Sequence, residues 1–110
     1  LGGSPASAFE PAGSILTAVV SDLGGSVAVQ RGTPGVTAVS AGAGTVNVTL
    51  PRDISACTWI ATQGNPGSNV VPGDYAAVRG VPQNNHVIEV VTFDHNGLQV
   101  DANFHLAVIC

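Results

Sequence analysis

Apolar and polar residues alternate with a period of two along most of this chain, the pattern of half-buried β-strands rather than of helices. Val27 and Val29 share one face within residues 26–30. Over residues 44–50 the alternation is cleaner, with Val46, Val48 and Leu50 on one face and Thr45, Asn47 and Thr49 on the other. Cys57, Trp59 and Ala61 oppose Thr58, Ile60 and Thr62; Phe104, Leu106, Val108 and Cys110 oppose His105, Ala107 and Ile109. Residues 86–93 are β-branched and apolar on both faces, as a central strand is. Residues 14–23 are the best helix candidate, with Ser14 as a possible N-cap, but Ile15, Thr17, Val19 and Val20 favour a strand.

Turn signals separate these runs at 22–25, 32–35, 41–44, 51–53, 64–68, 72–74, 82–85 and 95–97. Asn96-Gly97 predicts a hairpin turn of type I′, which needs two positive φ angles. The spacing predicts an all-β fold: an antiparallel β-sandwich, jelly-roll or Ig-like, of about eight short strands. Residues 1–13 carry Gly2, Gly3, Pro5 and Pro11 and read as a flexible leader or linker, leaving 14–110 as a single β-sandwich domain. Trp59, the sole tryptophan, is expected in the core; Tyr75, next to a turn, is expected to be exposed.

Composition narrows the choice of partners. Only 9% of the 110 residues are charged, against about 25% in an ordinary domain. Lysine is absent, and Arg31, Arg52 and Arg79 are scattered through a chain of net charge −4. Nucleic acid is excluded as a partner, because phosphate neutralisation needs a basic patch. Membrane insertion is excluded on length: no stretch approaches the roughly 20 apolar residues of a helical span.

The two cysteines, Cys57 and Cys110, have no CxxC spacing. They fit neither a zinc site nor a thioredoxin-like motif. Both fall on the more apolar face of their strands, where a bridge would sit. The expected disulfide requires an oxidising compartment, hence an extracellular or cell-surface location, with a virion as the other possibility. The alternative is two buried free thiols.

The segments Ala18-Val19-Val20-Ser21-Asp22-Leu23-Gly24-Gly25, Arg31-Gly32-Thr33-Pro34-Gly35-Val36-Thr37-Ala38-Val39, Gly44-Thr45-Val46-Asn47-Val48-Thr49-Leu50 and Arg52-Asp53-Ile54-Ser55-Ala56-Cys57, with the terminal Phe104-His105-Leu106-Ala107-Val108-Ile109-Cys110, carry a likeness. The chain from about Ala18 onward resembles a β-rich module of secreted actinobacterial proteins of unassigned function, and its first half also resembles bacterial and phage fibre-type β-domains. The resemblance implies an exported β-domain without a known catalytic motif.

Candidate chemistry is sparse. The histidines are His86, His95 and His105, and no Gly-x-Ser-x-Gly elbow accompanies them. Asp94-His95-Asn96 holds metal-capable atoms, but its spacing matches no calcium loop and its side chains suit a turn. No catalytic residue, metal ligand or cofactor is therefore assigned. Glu89 lies inside an apolar strand and needs a partner; Arg79 is its candidate cross-strand mate. The leading expectation is a non-enzymatic structural module that associates with itself, as a homotrimer in the fibre-type case, or with another surface protein. The alternative is an adhesin domain that binds a glycan or protein through Tyr75, Gln83, Asn84 and Asn85, grouped on loops at one end of the sandwich.

Overall fold

The computed structural model describes residues 14–67 and 74–110. The expected leader, Ser68 of one turn signal and residues 72–73 of another lie outside the described residues. Eight strands follow in order: β1 (Ile15–Leu23), β2 (Ser26–Gly32), β3 (Thr37–Ser40), β4 (Thr45–Thr49), β5 (Thr58–Gln63), β6 (Tyr75–Val81), β7 (Asn84–Phe93) and β8 (Phe104–Ile109). They form two four-stranded antiparallel sheets, β2-β1-β8-β5 (sheet A) and β3-β4-β7-β6 (sheet B). The expected β-sandwich is thus present, and the 14–23 segment is a strand. The four-plus-four order differs from the four-plus-three of an immunoglobulin constant domain. The first and last strands pair at the centre of sheet A.

The period-two pattern explains which residues meet. Leu16, Ala18 and Val20 of β1 and Phe104, Leu106 and Val108 of β8 are buried against Val46 and Val48 of β4 and Ile88 and Val90 of β7. Ile54 and Leu50, from the connection between β4 and β5, close the core at one end. Val27 and Val29 pack on it from β2. Glu89 stands directly opposite Arg79 in the β6–β7 register, and the two form an ion pair on the outer face of sheet B.

The two ends of the sandwich differ in chemistry. At one end the 51–57 loop meets the turn between β6 and β7 through Ile54 N–H, which donates to Asn85 O at 2.8 Å. Cys57 and Cys110 are bridged here, with Cα atoms 4.3 Å apart. The bridge extends the β5–β8 ladder by one step beyond the Thr58–Ile109 pair, and the short Cα separation suits a narrow antiparallel pair. At the other end the 94–103 connection crosses from sheet B to sheet A.

The turns refine the expectation for Asn96-Gly97. Gly97 has φ of +81°, whereas no residue other than glycine has a positive φ among the described residues. The turn is therefore not type I′. Gly97 N–H donates to Asp94 O (3.0 Å), Asp94 N–H to Leu98 O (2.8 Å), and Asp94 Oδ1 takes the N–H groups of Asn96 and Leu98. The Asp94 carboxylate stabilises a turn closed by one left-handed glycine, as Asp side chains do. Two consecutive positive φ angles occur instead at Gly24 (+62°) and Gly25 (+90°), in the β1–β2 hairpin.

Candidate functional site

A recess of about 240 Å³ opens at the disulfide end, between the edges of β5 and β6. Trp59, Ile54 and Val87 supply its apolar surface, and Ser55, Asn84 and Asn85 its polar rim. Sequence alternation turns Trp59 inward, but Trp59 sits near the start of an edge strand. Its indole is consequently half-buried rather than enclosed. Its Nε1–H donates to Ile54 O at 2.9 Å. Gly80 of β6 makes room for the ring: a β-carbon there would lie 3.0 Å from Trp59 Cη2.

The rim is held by short-range hydrogen bonds. Asp53 Oδ1 accepts from Ser55 N–H (2.9 Å) and from Ser55 Oγ–H (2.6 Å). These donors hold the exposed Asp53 carboxyl below the usual carboxylate range, the Ser55 hydroxyl contributing most and His86 and Asn85 adding to it. Asn84 Oδ1 accepts from His86 N–H (3.0 Å), and His86 Nδ1 lies 3.3 Å from Leu50 O. Ser55 Oγ thus donates to a carboxylate and not to an imidazole.

The structure brings together only part of the expected ligand-binding set. Asn84 and Asn85 line the recess, and Gln83 is exposed in the turn beside them. Tyr75 does not join them, since the length of the β6–β7 hairpin separates it from that turn. Its ring stacks on Phe93 at the opposite end, with centroids 5.2 Å apart. Trp59, Ser55 and Ile54 take the place that sequence reasoning assigned to Tyr75. The signal was available in Trp59, a large inward residue beside a loop at a strand end.

His105 Nε2–H donates to Asn65 O at 2.9 Å, because a carbonyl can only accept. Among the described residues no three His, Cys, Asp or Glu side chains are grouped to hold a metal ion.

The crossover end carries a second polar cluster. Asp22 points inward and is 3% exposed. Its Oδ1 accepts from Gly25 N–H and its own N–H donates to Asn103 Oδ1. Its Oδ2 has no partner among the described residues. Burial raises the Asp22 carboxyl above its ordinary value, and the nearby Asp101 carboxyl adds to the rise, against the lowering effect of Gly25 N–H. Asp101 Oδ1 accepts from Gly44 N–H at 2.7 Å, so this end is tied together by carboxyl-to-backbone bonds.

A second depression, of about 390 Å³, lies on the outer face of sheet A, beside Arg31 and His105. Arg31 Nη1 reaches over this face to donate to Pro66 O at 2.6 Å. Beyond Arg31, towards the disulfide end, this face carries no charged side chain among the described residues. Register places Ile15 opposite Ile109, which faces Thr58 on its other side, and Thr17 opposite Ala107, which faces Ile60. Ile15 is 62% exposed, Ile60 52% and Ile109 44%. No protein-family model, no curated protein and no solved structure matches this chain.

Proposed function

We propose that this chain is an exported, non-enzymatic structural module of a cell-surface or fibre-type protein that associates with copies of itself. The observation that carries the reading is the outer face of sheet A, where Ile15, Ile60 and Ile109 are exposed with no charged side chain beside them among the described residues. Apolar surface gathered on one sheet face marks an interaction site more often than isolated exposed residues do. The Cys57–Cys110 bridge supports an oxidising compartment outside the cytosol.

The strength of such an association can be bounded. Three isoleucines contribute about 2 kcal/mol each when fully buried, against an association cost of about 4–15 kcal/mol. The assembly is therefore concentration-dependent unless further contacts join it. The test is molar mass by light scattering across a concentration series without reductant. A rise from the 10.9 kDa of one chain towards three chains, with Ile60→Glu restoring the single-chain mass, supports the reading. A mass that stays at one chain at high concentration removes it.

A further inference from the structure

We propose that the Trp59 recess is a carbohydrate subsite that takes one neutral pyranose ring. Size limits the ligand first. At about 240 Å³ the recess lies below the roughly 300–1,000 Å³ of pockets for drug-sized molecules, so it suits a single ring rather than an extended peptide. Charge limits it next: among the described residues no side chain lining the recess is formally charged, which disfavours an ionic ligand.

The division of surface within the recess matches the two kinds of surface on a sugar. A pyranose has an apolar C–H face and an equatorial belt of hydroxyls. Trp59 Nε1–H is already bonded to Ile54 O, so the indole offers its hydrocarbon ring, whose negative π face attracts polarised C–H groups. The hydroxyl belt meets the amides of Asn84 and Asn85 and the Ser55 hydroxyl. These groups are ordered in advance. Ser55 is bound to Asp53, and Asn84 Oδ1 is bound to His86 N–H, which leaves the Asn84 NH₂ without a partner among the described residues. Ordering before binding reduces the entropy cost of capture.

Trp59 is the only tryptophan, so its fluorescence reports on this recess alone. The full disulfide-bonded chain is titrated with the methyl glycosides of glucose, galactose, mannose and N-acetylglucosamine. Tryptophan emission and saturation-transfer NMR are read in parallel. At least one glycoside gives a saturable change with Kd on the order of 1 mM. The double variant Asn84→Ala/Asn85→Ala raises that Kd about tenfold or more, while Tyr75→Ala leaves it unchanged.

Gly80→Ala supplies an independent arm, because its new methyl, 3.0 Å from Cη2, pushes the indole back by a few tenths of an ångström and narrows the recess. It weakens binding, and unchanged ladder signals in the NMR spectrum certify the fold. The proposal is overturned if no glycoside saturates, or if the asparagine double variant binds like the parent chain. Self-association is tested separately, since Ile60→Glu lies on the outer face and leaves glycoside binding intact.

Discussion

Removing the Cys57–Cys110 bridge is expected to cost about 4 kcal/mol, and the structure says through which state the loss acts. The cross-link joins positions 53 residues apart. Chain-entropy arithmetic for a closed loop of that size gives about 4 kcal/mol at 25 °C, a large share of the roughly 5–15 kcal/mol that holds an ordinary domain together. The folded state loses little backbone order when the bridge opens, because the adjacent Thr58–Ile109 pair and the rest of the β5–β8 ladder remain. Cys110 N–H also stays bonded to Ser14 O at 3.0 Å. The destabilisation therefore arises mainly from the freer unfolded chain. Urea unfolding measures it, with and without reductant, and in Cys57→Ala/Cys110→Ala. At a slope of about 1–3 kcal/mol per molar urea, the midpoint falls by about 1.3–4 M. Reduction keeps both sulfur atoms in place, so it separates the cross-link from the packing of the half-buried cysteines. A midpoint that moves by less than about 0.5 M on reduction refutes the reasoning and assigns the clamp to the ladder itself.

Four further outcomes follow from the same geometry. Gly44→Ala destabilises by more than about 1 kcal/mol in urea unfolding, because Gly44 has φ of +68° and a β-carbon would lie 2.8 Å from Val100 N and 2.9 Å from Thr92 O; an unchanged midpoint would overturn this. Asp22 has a carboxyl raised in the folded state, so the native chain holds that proton more tightly than the unfolded one. Its contribution to stability is present at low pH and is lost as pH rises from the ordinary aspartate value through the raised folded value. Asp22→Asn is therefore expected to stabilise the chain at pH 7 and to flatten that part of the pH profile; a loss of stability at pH 7 contradicts it. Asp53, whose carboxyl is lowered, acts with the opposite sign: its contribution is present above the ordinary carboxylate range and is lost as pH falls through the lowered folded value, a slope that Asp53→Asn should remove. Arg79→Ala is expected to cost no more than about 1 kcal/mol, since the Arg79 side chain is 73% exposed in its pair with Glu89; a double-mutant cycle with Glu89→Gln checks it.

In β2, β4, β5 and β8 the period-two pattern by itself determined which side faces the core. Val46, Val48 and Leu50 are buried while their neighbours are not, because successive side chains on a strand point to opposite faces whatever the strand pairs with. The same local rule put Cys57 and Cys110 on inward faces, and it made Arg79 a credible mate for Glu89. The turn at Asn96-Gly97 was legible as a turn, but its type depended on the Asp94 side chain bonding two later N–H groups.

Only the tertiary structure decided which strands are neighbours. Alternation carries no information on whether β1 pairs with β8, because that choice rests on closing loops between residues far apart in sequence. The candidate site depended on the same choice. Asn84 and Asn85 were visible as loop amides, yet their aromatic neighbour is Trp59 and not Tyr75, since the hairpin sends Tyr75 to the far end of the sandwich. The depth of the Trp59 ring was likewise a matter of position: an inward residue is enclosed in a central strand and half-open at an edge. Asp22 shows the limit most plainly. It reads as a turn residue next to Gly24-Gly25, and only the packing of the 94–103 crossover across the end of the sandwich buries its carboxyl beside Asp101.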